Sequence, residues 1–338
     1  MTVLNLPNAV PSIALVIYRY LRLAGDWVQI DDLEAILSPQ TLSTGPATAD
    51  DDSDDDDDDN VPDASRDRPR SRVAQTASLL AEVGLLEESD HRAVRLLQPW
   101  GEHSPRDDRS YLSGVLRELF LAEPLNMPDL WGSGRGTRDF TRALTWFLMQ
   151  NVWRPPGVYS SASDSLPGAQ REQYTQLPTR EGRDGKPRAP LFNTGVRWNA
   201  FSRWAIFLGF VKRDVINGRA GIAPDPTTAV RDTISRLPIT STIDLPDFIT
   251  SLSDKLPVID SGRYRAEVES NLLASGSDSQ GDLLSSSLSH ALLRLQDSGF
   301  LQLDPQGSAD APRKLRFEVP PGNPPLVFAR IKILGGQR

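Results

Sequence analysis

The side chains that most often do chemistry are sparse in this chain of 338 residues. It has no cysteine, which excludes a disulfide framework, a thiolate metal site and a cysteine nucleophile. Its three histidines, His91, His103 and His290, are scattered and lack the i, i+4 spacing that lets a helix offer two imidazoles to one metal. His91 precedes an extended run, His103 sits in a polar loop and His290 falls on a helix, so each reads as structural or simply exposed. Adjacent carboxylates at Asp31–Asp32 and Asp107–Asp108 read as caps or loop residues rather than a catalytic dyad. The run GSGRG (132–136) lacks the Lys-Ser/Thr of a phosphate loop and the strand before a dinucleotide fingerprint, so it reads as a turn before a helix. No catalytic residue, metal or cofactor is assigned, and a non-enzymatic protein is expected.

The basic residues are better placed. Arg92 and Arg95, then Lys212, Arg213 and Arg219, then Arg313, Lys314 and Arg316 fall on three segments that read as hairpins. Cations there are candidates for DNA-backbone contact, which gives affinity without sequence information and weakens with salt. Charge on a hairpin also guards its edge against aggregation, and both readings stand. Only five of the 37 basic residues are lysine. Arginine suits phosphate recognition, and a GC-rich genome gives the same bias.

These cations depend on a pattern that occurs three times: an amphipathic helix, a glycine stop, then an apolar pair entering an extended run. It appears as residues 71–89, 196–214 and 283–304, with Gly84, Gly209 and Gly299 where a helix end wants positive φ. Leu85–Leu86, Phe210–Val211 and Phe300–Leu301 begin the strands, and HRAVRLL, NGRAGI and RKLRFEV supply the returning ones. Asn217–Gly218 is a strong turn signal for the second. Helix, glycine and hairpin form the last half of a winged helix-turn-helix. The first half is visible as a helix from Ser12 to Leu23, a strand at Trp27–Ile30 and a helix to Leu37 capped by Asp31 or Asp32. Helices are also expected at Tyr111–Ala122, Thr137–Val152, Leu245–Leu256 and Ala266–Ala274, with a flexible joint at 274–281.

In such modules the third helix reads base edges. Helical spacing turns Ser71, Gln75, Ser78 and Glu82 outward in the first copy, Asn199, Ser202 and Arg203 in the second, and Ser286, His290, Leu293 and Asp297 in the third. Gln75, Asn199, Arg203 and His290 are the recognition-helix candidates. The faces are mild, and Glu82 and Asp297 oppose phosphate, so little sequence specificity is expected. Trp146, Trp153, Trp198 and Trp204, with Phe140, Phe147, Phe201 and Phe207, concentrate in the middle segment, either as core or as an exposed partner surface.

The net charge of −8 is local: residues 43–70 hold eleven aspartates against three arginines, which accounts for all of it. The remaining body is formally neutral. The acidic run repels itself and has almost nothing to bury, so it is expected to be disordered. It is either a solvated insert or a strip that competes with nucleic acid for basic surface on the same chain. The expected organisation is mainly α with short β-hairpins, as three tandem winged helix-turn-helix domains. They are residues 1–100 with the acidic insert 43–70, residues 101–235 with a long irregular loop at 154–190, and residues 236–338. The opening segment, broken by Pro7 and Pro11, is a poor secretory signal, and no run approaches the roughly 18 apolar residues of a membrane span. No membrane partner and a cytoplasmic home are expected.

The stretches LNLPNAVPSIALVIYRYL (4–21), RDFTRALTWFLMQN (138–151), RWNAFSRWAIFLGF (197–210) and APDPTTAVRD (223–232) resemble the DpdG family. That family belongs to bacterial clusters that insert 7-deazapurines into DNA and restrict unmodified DNA. The resemblance spans most of the chain and implies an accessory component beside separate transglycosylase, helicase and nuclease subunits. It carries no catalytic residues to transfer, and the aspartate run departs from it as a lineage-specific insert. The role expected is a phage-defence component that binds DNA or, alternatively, an adaptor that binds other subunits without touching DNA.

Overall fold

The computed structural model describes residues 2–37, 71–97, 107–132, 136–156, 172–173, 176–177, 191–192, 194–216, 219–238, 242–272, 282–305 and 314–334. The acidic insert 43–70, most of the loop 154–190, the joint 274–281, Asn217–Gly218, His103 and Arg313 lie outside them. The chain divides into two compact units, Asn8–Asp108 and a larger one formed by Met1–Pro7 with Arg109–Arg338.

In the smaller unit, Pro11 opens helix α1 (Pro11–Ala24), whose first turn needs no N–H from it. Gly25 closes that helix at φ 68°, donating its N–H to Leu21 O. Strand β1 (Val28–Gln29) runs directly into α2 (Ile30–Leu37), with Asp31 and Asp32 in the first helical turn rather than at a cap. Helix α3 (Arg72–Glu82) follows, then β2 (Leu86–Glu88) and β3 (Ala93–Leu96). The strands form an antiparallel sheet in the order β1-β3-β2. Ala14, Ile17, Leu21, Leu33, Val73, Ala77, Leu80 and Val94 fill the core, the one-sided apolar stripes of three helices meeting one sheet face.

The larger unit begins with α4 (Asp108–Phe120), α5 (Glu123–Asn126), α6 (Arg138–Leu148) and α7 (Gly195–Phe207). A six-residue pair, β4 (Val211–Ile216) and β5 (Arg219–Pro224), forms a hairpin. Trp146, Trp198, Trp204, Phe140, Phe147 and Phe201 are fully buried and form core, while Trp153 and Phe207 are half-buried. Their rings meet edge-on or tilted, with Phe147 and Phe201 centroids 5.3 Å apart, the arrangement their quadrupoles favour. The first turn of the chain seats on this core: Asp139 Oδ2 accepts from Leu4 N at 2.9 Å.

The remaining elements are α8 (Thr227–Ile234), β6 (Ile243–Asp244), α9 (Leu245–Lys255), α10 (Arg263–Glu269), β7 (Leu283–Leu284), α11 (Ser286–Asp297), β8 (Leu301–Asp304), β9 (Leu315–Phe317), β10 (Leu326–Phe328) and β11 (Arg330–Ile333). Here the sheet order of the smaller unit and several of its backbone bonds recur. The sheet order is β6-β11-β8, matching β1-β3-β2. Ile30 N donates to Arg92 O, and Leu245 N donates to Ala329 O, both at 2.9 Å. Leu85 N reaches Leu80 O as Phe300 N reaches Leu295 O, and Leu97 N reaches Leu85 O as Leu334 N reaches Phe300 O. Ser71 and Ser285 cap α3 and α11 in the same way. The three glycine stops occupy the left-handed region, at φ 84° for Gly84, 80° for Gly209 and 71° for Gly299.

The third hairpin differs from expectation. RKLRFEV does not return along β8; β11 does, in the register Leu301↔Ile333 to Asp304↔Arg330. Strand β9 instead pairs with β10 and, in parallel, with β7, in a second small sheet inserted before β11. Two apolar runs followed β8 within reach, and ring packing separates their fates: Phe317 and Phe328 stack edge-on at 4.9 Å, holding β9 to β10.

Candidate nucleic-acid interface

In the smaller unit α3 starts at Ser71, whose Oγ accepts from Ala74 N at 3.0 Å and donates to Glu34 Oε1 at 2.6 Å. Arg72 is exposed, while Gln75, Ser78 and Glu82 are half-buried. The turn between β2 and β3 is closed by Ser89, whose Oγ accepts from His91 N and Ala93 N, with Arg92 at φ 59°. Arg92 Nη1 lies 3.3 Å from Asp31, and Arg95 Nη2 lies 2.7 Å from Glu87 with its guanidinium 4.6 Å above the Trp27 ring. Both arginines are exposed and already paired. Exposed pairs contribute roughly 0–1 kcal/mol, so a phosphate can take either arginine at small cost.

On the middle hairpin Lys212 and Arg213 are exposed on β4, and neither forms an ion pair among the described residues. The backbone of Arg219 opens β5 opposite Ile216, and its side chain is outside the described set. Helix α7 offers less than its spacing suggested. Asn199 is exposed, but Arg203 Nη1 is spent on Pro7 O at 2.8 Å. Ser202, expected outward, is buried and donates to Trp198 O at 2.8 Å. The apolar residues of α7 run nearly all round it, so one stripe does not define its inner face.

Helix α11 is closed by the chain itself. Ser286, expected outward, is 2% exposed and accepts from Val152 N at 3.1 Å, while Ser287 donates to Leu148 O at 2.6 Å. His290 is half-buried, edge-on to Trp153 at 5.3 Å between centroids. Burial chiefly lowers its pKa, Asp225 opposes that, and Arg294 and Lys212 reinforce it. Asp225 itself is taken by Arg294. Lys314 is exposed and Arg316 half-buried, both beside or on β9 and therefore away from the strand that returns along β8. The cation that β11 does present is Lys332, exposed opposite Gln302 and without an ion pair among the described residues. The alternation in Ile331–Lys332–Ile333 was its signal in the sequence. Among the described residues no three His, Asp or Glu side chains gather as a metal-binding group.

These features define a mainly helical protein with small antiparallel sheets and exposed cations on three of its strands, β3, β4 and β11. The chain belongs to the DpdG-like family, whose model matches residues 1–311. No curated protein and no solved structure matches it. No helix among the described residues is long and apolar enough to cross a membrane.

Proposed function

We propose that the chain is a non-catalytic component of a bacterial system that places 7-deazapurines in DNA and restricts DNA lacking them. It contacts the DNA backbone through winged helix-turn-helix modules. Family membership supports the setting. The recurrence of one helix–strand order and one set of backbone bonds in β1-β3-β2 and β6-β11-β8 supports the modules. The observation that carries DNA contact is the exposed Lys212–Arg213 pair on β4, free of carboxylate partners among the described residues.

Each cation on a phosphate contributes about −0.9 to the slope of log affinity against log salt. Duplex binding by the purified chain should therefore fall steeply between low and moderate salt. Lys212→Ala with Arg213→Ala should flatten the slope by about 1.8 whatever the duplex sequence. Anisotropy titrations at several salt concentrations measure both. Binding indifferent to salt, or absent at low salt, rejects the reading.

A protein-interaction adaptor is the second reading, and one observation favours it: Arg203 of α7 is spent on Pro7 O, and the serines at the start of α11 are bonded to Leu148 and Val152 of the same chain. Stable co-purification with a neighbouring subunit, together with no duplex affinity, would select it.

A further inference from the structure

A cavity of about 320 Å³ opens in the larger unit where α4 meets the ends of α8 and α9. Its polar lining is Arg117, Glu118, Arg236 and Lys255, and Leu237 and Leu256 supply an apolar part. The buried arginine is fixed before any ligand arrives. Arg117 is 3% exposed; its Nε donates to Leu208 O at 2.8 Å and its Nη2 to Asp232 at 3.2 Å. Arg236 Nη1 lies 2.5 Å from Glu118 Oε1, and its other terminal nitrogen passes over Gly114, where any Cβ would collide with it.

Positive charge is in excess. Asp232 is divided between Arg117 and Arg231, the latter at 3.7 Å, and Glu118 serves Arg236 alone. Lys255, in the last turn of α9, is exposed and has no ion pair among the described residues. Asp254 beside it is exposed and not part of the lining. The cleft is therefore lined by three cations and one carboxylate, with Asp232 beyond the lining serving Arg117. Burial holds the Arg117 pKa below its ordinary value against the pull of Asp232, so an arriving anion would stabilise that charge. Ligand pockets run from roughly 300 Å³ upward, too large for a bare phosphate and suited to a phosphate with a small organic body.

We infer that this cleft binds a small organic phosphate, its anionic group between Arg236 and Lys255 and its body against Leu237 and Leu256. None of the lining residues is on a hairpin strand, so the site is separate from the proposed DNA contacts.

Calorimetric titration of the full chain in phosphate-free buffer tests it, with pyrophosphate, AMP and adenosine as probes. Pyrophosphate and AMP should bind saturably and adenosine should not. Lys255→Met, on an exposed position that leaves the core intact, should weaken both anions about tenfold, as loss of one charge-assisted contact does. Lys255→Arg should restore binding. The inference is overturned if neither anion binds saturably, if adenosine binds as AMP does, or if Lys255→Met binds both anions like the parent chain.

Discussion

Asp139 shows how one carboxylate can hold a segment distant in sequence. Its Oδ2 takes the Leu4 N–H, its Oδ1 takes the N–H of Phe140 at 2.8 Å, and Arg197 Nη2 stands 3.9 Å away. These donors favour ionisation, yet burial outweighs them and raises the Asp139 pKa. A raised carboxylate pKa means the folded state holds its proton more tightly than the unfolded one. Stability is then lost as pH rises from about 4, the unfolded value, through the folded one. Asp139→Asn should abolish that decline while keeping an oxygen for Leu4. Asp139→Ala leaves the buried Leu4 N–H without its acceptor and should cost about 1–3 kcal/mol more than the asparagine variant. Chemical denaturation of the three proteins across the acid-to-neutral range measures both effects.

At the level of elements, the three glycine stops are chemically alike but sterically different. Around Gly84 and Gly299 nothing lies within 4 Å of an added Cβ, whereas at Gly209 that atom would meet Thr228 at 3.0 Å. Alanine at Gly84 should therefore cost only the left-handed strain, about 1–2 kcal/mol. Gly209→Ala should cost more, because α8 must also give way; thermal melts of the two variants rank them. These glycines were legible in the sequence because positive φ is a local demand that one residue type meets. So were the helix at Leu245 and the strands after each glycine. What was not legible is long-range. Spacing showed that Ser286 lies off the main apolar stripe, but not that Val152 N would claim it. The returning third strand, β11, lies 25 residues beyond the end of β8, and only pairing across that gap tells it from β9. Hence local pattern puts Lys314 and Arg316 on the strand that returns along β8, where the fold puts Lys332.

For the molecule as a whole, charge is the property by which the proposed DNA contact is tested. All eleven aspartates of residues 43–70 lie between Leu37, the end of α2, and Ser71, the cap of α3. Connectivity alone therefore tethers them to the helix that a winged helix-turn-helix would lay in the major groove. Removing residues 46–64 takes out ten aspartates and no basic residue, so the formal charge moves from −8 to +2. Repulsion between that run and phosphate acts over a screening length of about 10 Å at 0.1 M salt and about 3 Å at 1 M. The deletion should accordingly raise duplex affinity at low salt, with the gain shrinking as salt rises, because both the repulsion and the attraction it opposes are screened. Duplex titrations of the deleted and full chains, run side by side at several salt concentrations, measure the difference. Equal affinity at every salt concentration would show the run to be a solvated insert with no hold on the basic surface. A gain that persisted at high salt would mean that the segment blocks DNA by occupying space rather than by its charge.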